Sequence, residues 1–224
     1  NFSALFGISS LFIIYGGTLG ATLTTMSRED IKAVPKTIKK VFSDEEYDYL
    51  AIIEDFKKWS EVSRRDGIVA LGEIADEIED PFTKRGIEYI LEGNDYEVVK
   101  EMLEKDIESM MDRHHTGAST YAKAGGFAPT MGIVGAVMGL IVVLGMLASL
   151  DVGQLAHGIA GAFTATLLGV GTANVVFIPF AEKLKMRSNN EVIYKIIVME
   201  GVLGIQAGKN PTQLKNMLLT YLPE

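Results

Sequence analysis

Residues 125–150 read GGFAPTMGIVGAVMGLIVVLGMLASL. The run holds no charged residue and exceeds the ~20 apolar residues that cross a bilayer. A similar run covers 157–181, and an earlier one covers 4–26. Between the first and second lies a highly charged segment, 27–123, in which no strand-like alternation occurs. The pattern predicts an all-α integral membrane protein. Its transmembrane helices cover 4–26, 124–150 and 157–181. A helical domain fills 27–123, a turn 151–156, and a helical tail 182–224.

Composition agrees. Mean hydropathy is +0.21 and 48% of residues are hydrophobic, more than a soluble domain of this length carries. The net charge of -8 argues against nucleic acid as a partner. The absence of cysteine excludes a disulfide scaffold, a thiolate metal site and a cysteine nucleophile. Three histidines weigh against a histidine-based metal site. His114 and His115 are adjacent, so on a helix they diverge by about 100° and do not chelate one ion. No acid–base pair, nucleophile or cofactor motif stands out, and the chain is read as a non-enzyme without a cofactor.

Within the charged segment, Ser43 with Glu46 reads as a capping box before a helix whose face holds Tyr49, Ile52, Ile53 and Phe56. Asp80–Pro81 and Asn210–Pro211 start further helices. Asn94 with Glu97 starts a long one, carrying Val98, Met102 and Ile107, that runs toward the membrane.

Lysine and arginine set the orientation. Arg28, Lys32, Lys36, Lys39, Lys40 and Lys123 lie at the inner ends of spans, as do Lys183, Lys185 and Arg187. Residues 149–156 have none. The insert and the C-terminal tail are therefore expected in the cytoplasm. Three spans then leave Asn1 outside, and the native protein is expected to have a fourth span ahead of it.

The spans carry no Asp, Glu, Lys or Arg. Ionisable groups within a membrane usually mark an ion path, so any titrating carboxylate must come from a partner. Gly132, Gly135 and Gly139 share one helix face. Gly158, Ala162, Thr166, Gly169 and Ala173 share another. Such faces fit close packing within the bundle or against a partner helix. Pro129 and Pro179 each remove one helical hydrogen bond, freeing the carbonyls of Gly125 and Val175. On this topology they lie at similar depth, as flex points or as packing kinks.

Four blocks carry a resemblance: GGTLGA at 16–21, RRDGIVAL at 64–71, APTMGIVGAVMG at 128–139, and ATLLG at 165–169 leading to PFAEKL at 179–184. Through them the chain resembles the MotA and PomA family of flagellar-motor stator subunits over nearly its whole length. The resemblance implies a four-span inner-membrane protein forming a homopentamer around two copies of MotB. The MotB span would supply the ion-carrying aspartate, and the insert would push on the rotor protein FliG. It assigns a rotor contact to Arg64 or Arg65 and torque generation to Pro129 and Pro179. The family glutamate that follows the leucine matching Leu71 is displaced here: Gly72 stands there and Glu73 comes next. Sodium-type members carry threonines where this chain has Ala136 and Ala165, whereas Thr166 matches a hydroxyl common to both types. Two absent hydroxyls favour protons. An ExbB or TolQ-type subunit, which energises the outer membrane, is the alternative; the 64–71 block and the size of the insert favour the stator.

Overall fold

The structure, a computed structural model, describes residues 11–43, 46–145 and 152–222. All regular elements among them are helical. In chain order they are α1 (Phe12–Thr24), α2 (Arg28–Phe42), α3 (Tyr49–Asp66), α4 (Leu71–Glu77), α5 (Pro81–Leu91), α6 (Tyr96–Gly145), α7 (Val152–Thr172), α8 (Ile178–Gln206) and α9 (Pro211–Leu219). α1 opens with a π turn, Phe12–Gly16, and a second π turn, Ala173–Phe177, joins α7 to α8. Alpha-helix 6 and the continuous stretch Val152–Gln206 are long and apolar enough to cross a membrane, while the described part of the first span is shorter. Residues 4–10 of that span lie outside the described residues, as do 146–151. The turn expected at 151–156 is already helical from Val152 onward. Gln154 and His157 are polar but do not interrupt a helix.

The chain divides into two compact units, 11–43 with 114–185 and 46–113 with 186–222. α2 therefore groups with the apolar helices rather than with the charged insert. Its start is a capping box that the sequence spells as S27-R-E-D30. The Asp30 N–H donates to the Ser27 hydroxyl at 3.2 Å, and the Ser27 N–H donates to the Asp30 carboxylate at 2.9 Å. The second bond, followed by the hydroxyl, holds the Asp30 carboxyl below its ordinary range. In the first unit, Val41, Ala118, Tyr121, Ala181 and Leu184 form a small core.

The second unit is built on a larger apolar core. Phe56, Phe82, Ile87, Leu103, Ile197, Leu203 and Leu214 are almost wholly enclosed. The face expected on α3 is buried at Ile52, Ile53 and Phe56. Its cap differs from expectation: Asp48, not Ser43, accepts from the Ala51 N–H at 2.9 Å. Ser43 instead closes α2, donating to the Lys40 carbonyl. Asn94 likewise serves the preceding helix, donating from its side chain to the Tyr89 carbonyl after Gly93 turns left-handed at φ 78°. Ile107 is buried, but Val98 and Met102 are exposed, and Val99 and Leu103 are buried in their place. Val99, Leu103 and Ile107 repeat every four residues and so stay on one face. The caps at Asp80 and Asn210 fall where the sequence puts them.

One contact sets how tightly this core closes. A Cβ on Gly201 would lie 2.6 Å from Cδ1 and Cγ of the buried Phe56 ring. Trp59, the single tryptophan, packs edge-on against that ring at 4.9 Å. Gly201→Ala is therefore expected to destabilise the unit by about 1–3 kcal/mol. The Trp59 emission should report this as a lowered thermal midpoint, whereas Gly72→Ala, which meets nothing within 4 Å, should leave the midpoint in place.

Candidate functional site

In the first unit, the site is the seam between α6 and α7. The glycine faces read from the sequence meet each other here. A Cβ on Gly169 would fall 2.6 Å from the Ala128 carbonyl oxygen and 2.9 Å from the Gly132 Cα. A Cβ on Gly132 would lie 2.9 Å from the Ala165 carbonyl oxygen and 3.3 Å from the Thr166 Cα. Gly135 faces Ala165, Gly139 faces Ala162, and Gly158 faces Val143. Of the two uses open to these faces, packing within the chain takes up the glycines. On α1, Gly17 lies against the Met131 side chain, while Gly16 and Gly20 face open space.

This antiparallel register also corrects the proline depths. Gly125 lies against Phe177 and Ile178, so Pro179 is level with the residue before Gly125. Pro129 is level with the start of the π turn. The rings are offset by roughly six residues, ~9 Å at helical rise. The turns they weaken nevertheless oppose one another. A proline disturbs the turn preceding it, and in antiparallel helices those turns lie on opposite sides of the two rings. Residues 125–129 thus face the π turn 173–177. Pro129 stays inside an unbroken α-helix. Ahead of Pro179, the Ile178 N–H reaches back to the Ala173 carbonyl, and the Asn174 amide donates to the Val170 carbonyl at 2.9 Å. Tyr15 and Thr172 share a hydrogen bond of 2.9 Å between α1 and α7 beside this turn.

Ala165 is fully enclosed, facing Gly135, with Ile13 of α1 on the same glycine. Ala136 and Thr166 are half-buried. The described parts of the apolar stretches, 11–26, 124–145 and 152–181, contain no Asp, Glu, Lys or Arg. Their hydroxyls are mostly occupied. Thr22, Thr24, Thr25, Thr130 and Thr164 bond to carbonyls of their own helices, and Thr172 bonds to Tyr15. Among the described threonines of these stretches, only Thr18 and Thr166 make no side-chain hydrogen bond. Thr18 is enclosed and Thr166 is not. Thr166 therefore offers a reachable, uncommitted oxygen.

In the second unit, RRDGIVAL forms a corner rather than a single helix. α3 ends at Asp66, Gly67 turns at φ 87°, the 3-10 turn Ile68–Ala70 follows, and Leu71 anchors α4 in the core. A φ of this sign is strained for residues with a side chain, so the glycine belongs to the corner. Arg65 is committed: its Nε donates to Asp66 Oδ2 at 2.9 Å and its Nη2 to the same oxygen at 2.7 Å. Arg65 in turn holds the Asp66 carboxyl below its ordinary range. Arg64 is exposed and makes no ion pair or side-chain hydrogen bond with the described residues; the same is true of Glu73, in the first turn of α4. The displaced acid thus still reaches solvent. His115 is exposed, and no metal-ligating cluster occurs among the described residues.

The family model described as the MotA/TolQ/ExbB proton channel family matches residues 74–195. Motility protein A of Bacillus subtilis is 36% identical over 224 residues, spanning 100% of this chain and 82% of that protein. Motility protein A of Helicobacter pylori is 40% identical over 215 residues, spanning 96% and 83%. The fold superposes on C. jejuni MotAB with a TM-score of 0.93 at 31% identity, covering 100% of this chain and 87% of that one. It superposes on the flagellar MotAB stator complex from Bacillus subtilis with a TM-score of 0.92 at 36% identity, covering 99% and 87%. The chain belongs to the MotA/TolQ/ExbB proton channel family. Within it, the chain is a flagellar stator subunit, an all-α membrane protein of the motility branch.

Because the Gly169 contact is backbone against backbone, no side chain can give way. Gly169→Ala should force α6 and α7 apart and abolish swimming, with membrane-extracted chain recovered in severalfold lower yield. Gly139→Ala, whose Cβ would sit at an ordinary 3.6 Å, should keep both.

Proposed function

We propose that the chain works with MotB as a proton-driven stator, arranged as a pentamer around a MotB dimer. The observation that carries this is the chemistry of the α6–α7 seam. Its described residues include no Asp, Glu, Lys or Arg, it offers one uncommitted hydroxyl at Thr166, and methyl groups stand at Ala136 and Ala165. Sodium must replace several water ligands with oxygens, and this wall supplies few. A proton needs only a carboxylate and a water chain, and the MotB aspartate would provide the carboxylate. The opposed weak turns at 125–129 and 173–177 are where the helices would flex as that aspartate changes charge. The insert and the tail lie in the cytoplasm on this reading, supported by the lysine and arginine bias. The corner at 64–73 meets FliG, with Arg64 and Glu73 as contacting charges and Arg65 held by Asp66.

Two measurements test the reading. Swimming speed should hold as sodium is withdrawn at constant proton-motive force; speed that tracks sodium would overturn the proton assignment. Arg64→Ala should lower speed severalfold, and Arg65→Ala, which removes an exposed local pair, should lower it by less than about twofold. Equal losses for both would remove the distinction between the two arginines.

A further inference from the structure

α2 presents three separate stripes. The first is already used. Thr37 shares a 2.8 Å hydrogen bond with the Tyr121 hydroxyl, Val41 is buried, and the methyl of Thr37 closes on Gly117. The second is apolar and exposed: Ile31 and Ile38 are each 41% accessible and Phe42 69%. With Pro35 they fall at spacings of four, three and four, a single helical face. The third is basic. Arg28, Lys32, Lys36 and Lys39 are exposed, follow one another at helical spacing, and make no ion pair or side-chain hydrogen bond with the described residues. The helix carries five basic and two acidic residues in a chain whose net charge is -8. One of the two acids, Asp30, is committed to the capping box.

The level of the helix is fixed by what it packs on. Ala118 and Tyr121 on α6, and Ala181 and Leu184 on α8, complete its core. These residues sit where the uncharged runs of 124–145 and 152–181 give way to charged sequence. A helix held at that level, with an apolar stripe beside a basic one, has the form that lies in a bilayer interface. A second copy of the chain is a poorer fit, since the exposed apolar stripe adjoins the basic one at the level of the lipid headgroups.

We propose that α2 is a docking helix for anionic phospholipid. Ile31, Ile38 and Phe42 enter the acyl boundary, and Arg28, Lys32, Lys36 and Lys39 hold the headgroup phosphates. The Phe42 ring meets Phe180 edge-on at 5.5 Å, and Tyr121 meets the same ring at 5.9 Å. Phe180 directly follows Pro179, so the lipid-held helix buttresses the weakened turn. The identity of the lipid thereby reaches the part of the chain that is to flex.

None of residues 1–224 is cysteine, so a cysteine introduced on α2 gives one label among them. An environment-sensitive fluorophore on Ile38→Cys is read in the intact stator complex, in phosphatidylcholine nanodiscs doped with a minor fraction of brominated phosphatidylglycerol or brominated phosphatidylcholine. Brominated phosphatidylglycerol should quench far more strongly. Each lysine near an anionic surface favours it about fivefold, so the triple variant Lys32→Gln, Lys36→Gln, Lys39→Gln should lower the preference roughly 100-fold. The matching Lys→Arg triple should keep it, and an unchanged yield of assembled complex with unchanged label emission in undoped nanodiscs certifies the fold of both. Equal quenching by the two lipids before any lysine is changed would overturn the proposal. So would quenching by neither, which would mean that protein, such as a neighbouring copy, covers this face.

Discussion

Two helix backbones touch at Gly132 and Gly169, and the arrangement of the first unit follows from that contact. No side chain separates them, so the antiparallel register of α6 and α7 has no freedom to slide. Ala165 is thereby placed against Gly135 and Ala162 against Gly139. The same register sets the Pro129 turn against the π turn. The exposed faces of the two helices are left with large apolar side chains such as Ile133, Val137, Phe163 and Leu167. The glycines of the facing stripes are spent within the chain, and bulk is turned outward.

The second constraint is electrical. A carboxylate within an apolar helix would require a fixed partner or a water-filled cavity. The described apolar stretches of this chain avoid the problem by carrying none. What they present instead is a low-polarity wall on which Thr166 is, among the described threonines, the one reachable uncommitted hydroxyl.

Much of this was legible in the sequence because hydrophobic length and helical spacing are local signals. The long apolar runs, the buried face at Ile52, Ile53 and Phe56, and the caps at Asp80 and Asn210 depend on neighbours within a turn or two. Other features depend on partners far along the chain. Nothing near Gly132 announces that Gly169 will meet it, so the choice between internal packing and a partner helix stayed open. The depth of Pro179 was misread for the same reason: the offset comes from helix register, which no span boundary reveals. Ser43 matched a capping pattern as well as Asp48 did, and the competing end of α2 decided between them. Arg64 and Arg65 are alike on paper. Only the side chain of Asp66, folding back on its neighbour, distinguishes them.

The π turn at 173–177 has a further consequence, concerning angular phase. It holds one residue more than an α-helical turn needs, so every side chain beyond it is re-aimed by about 100° relative to an uninterrupted helix. Ala181 and Leu184 owe their inward facing to that surplus residue. An insertion or deletion within these five positions would scarcely change the length of the helix. It would instead rotate the pattern downstream, turning the face that now meets α2 toward a different neighbour.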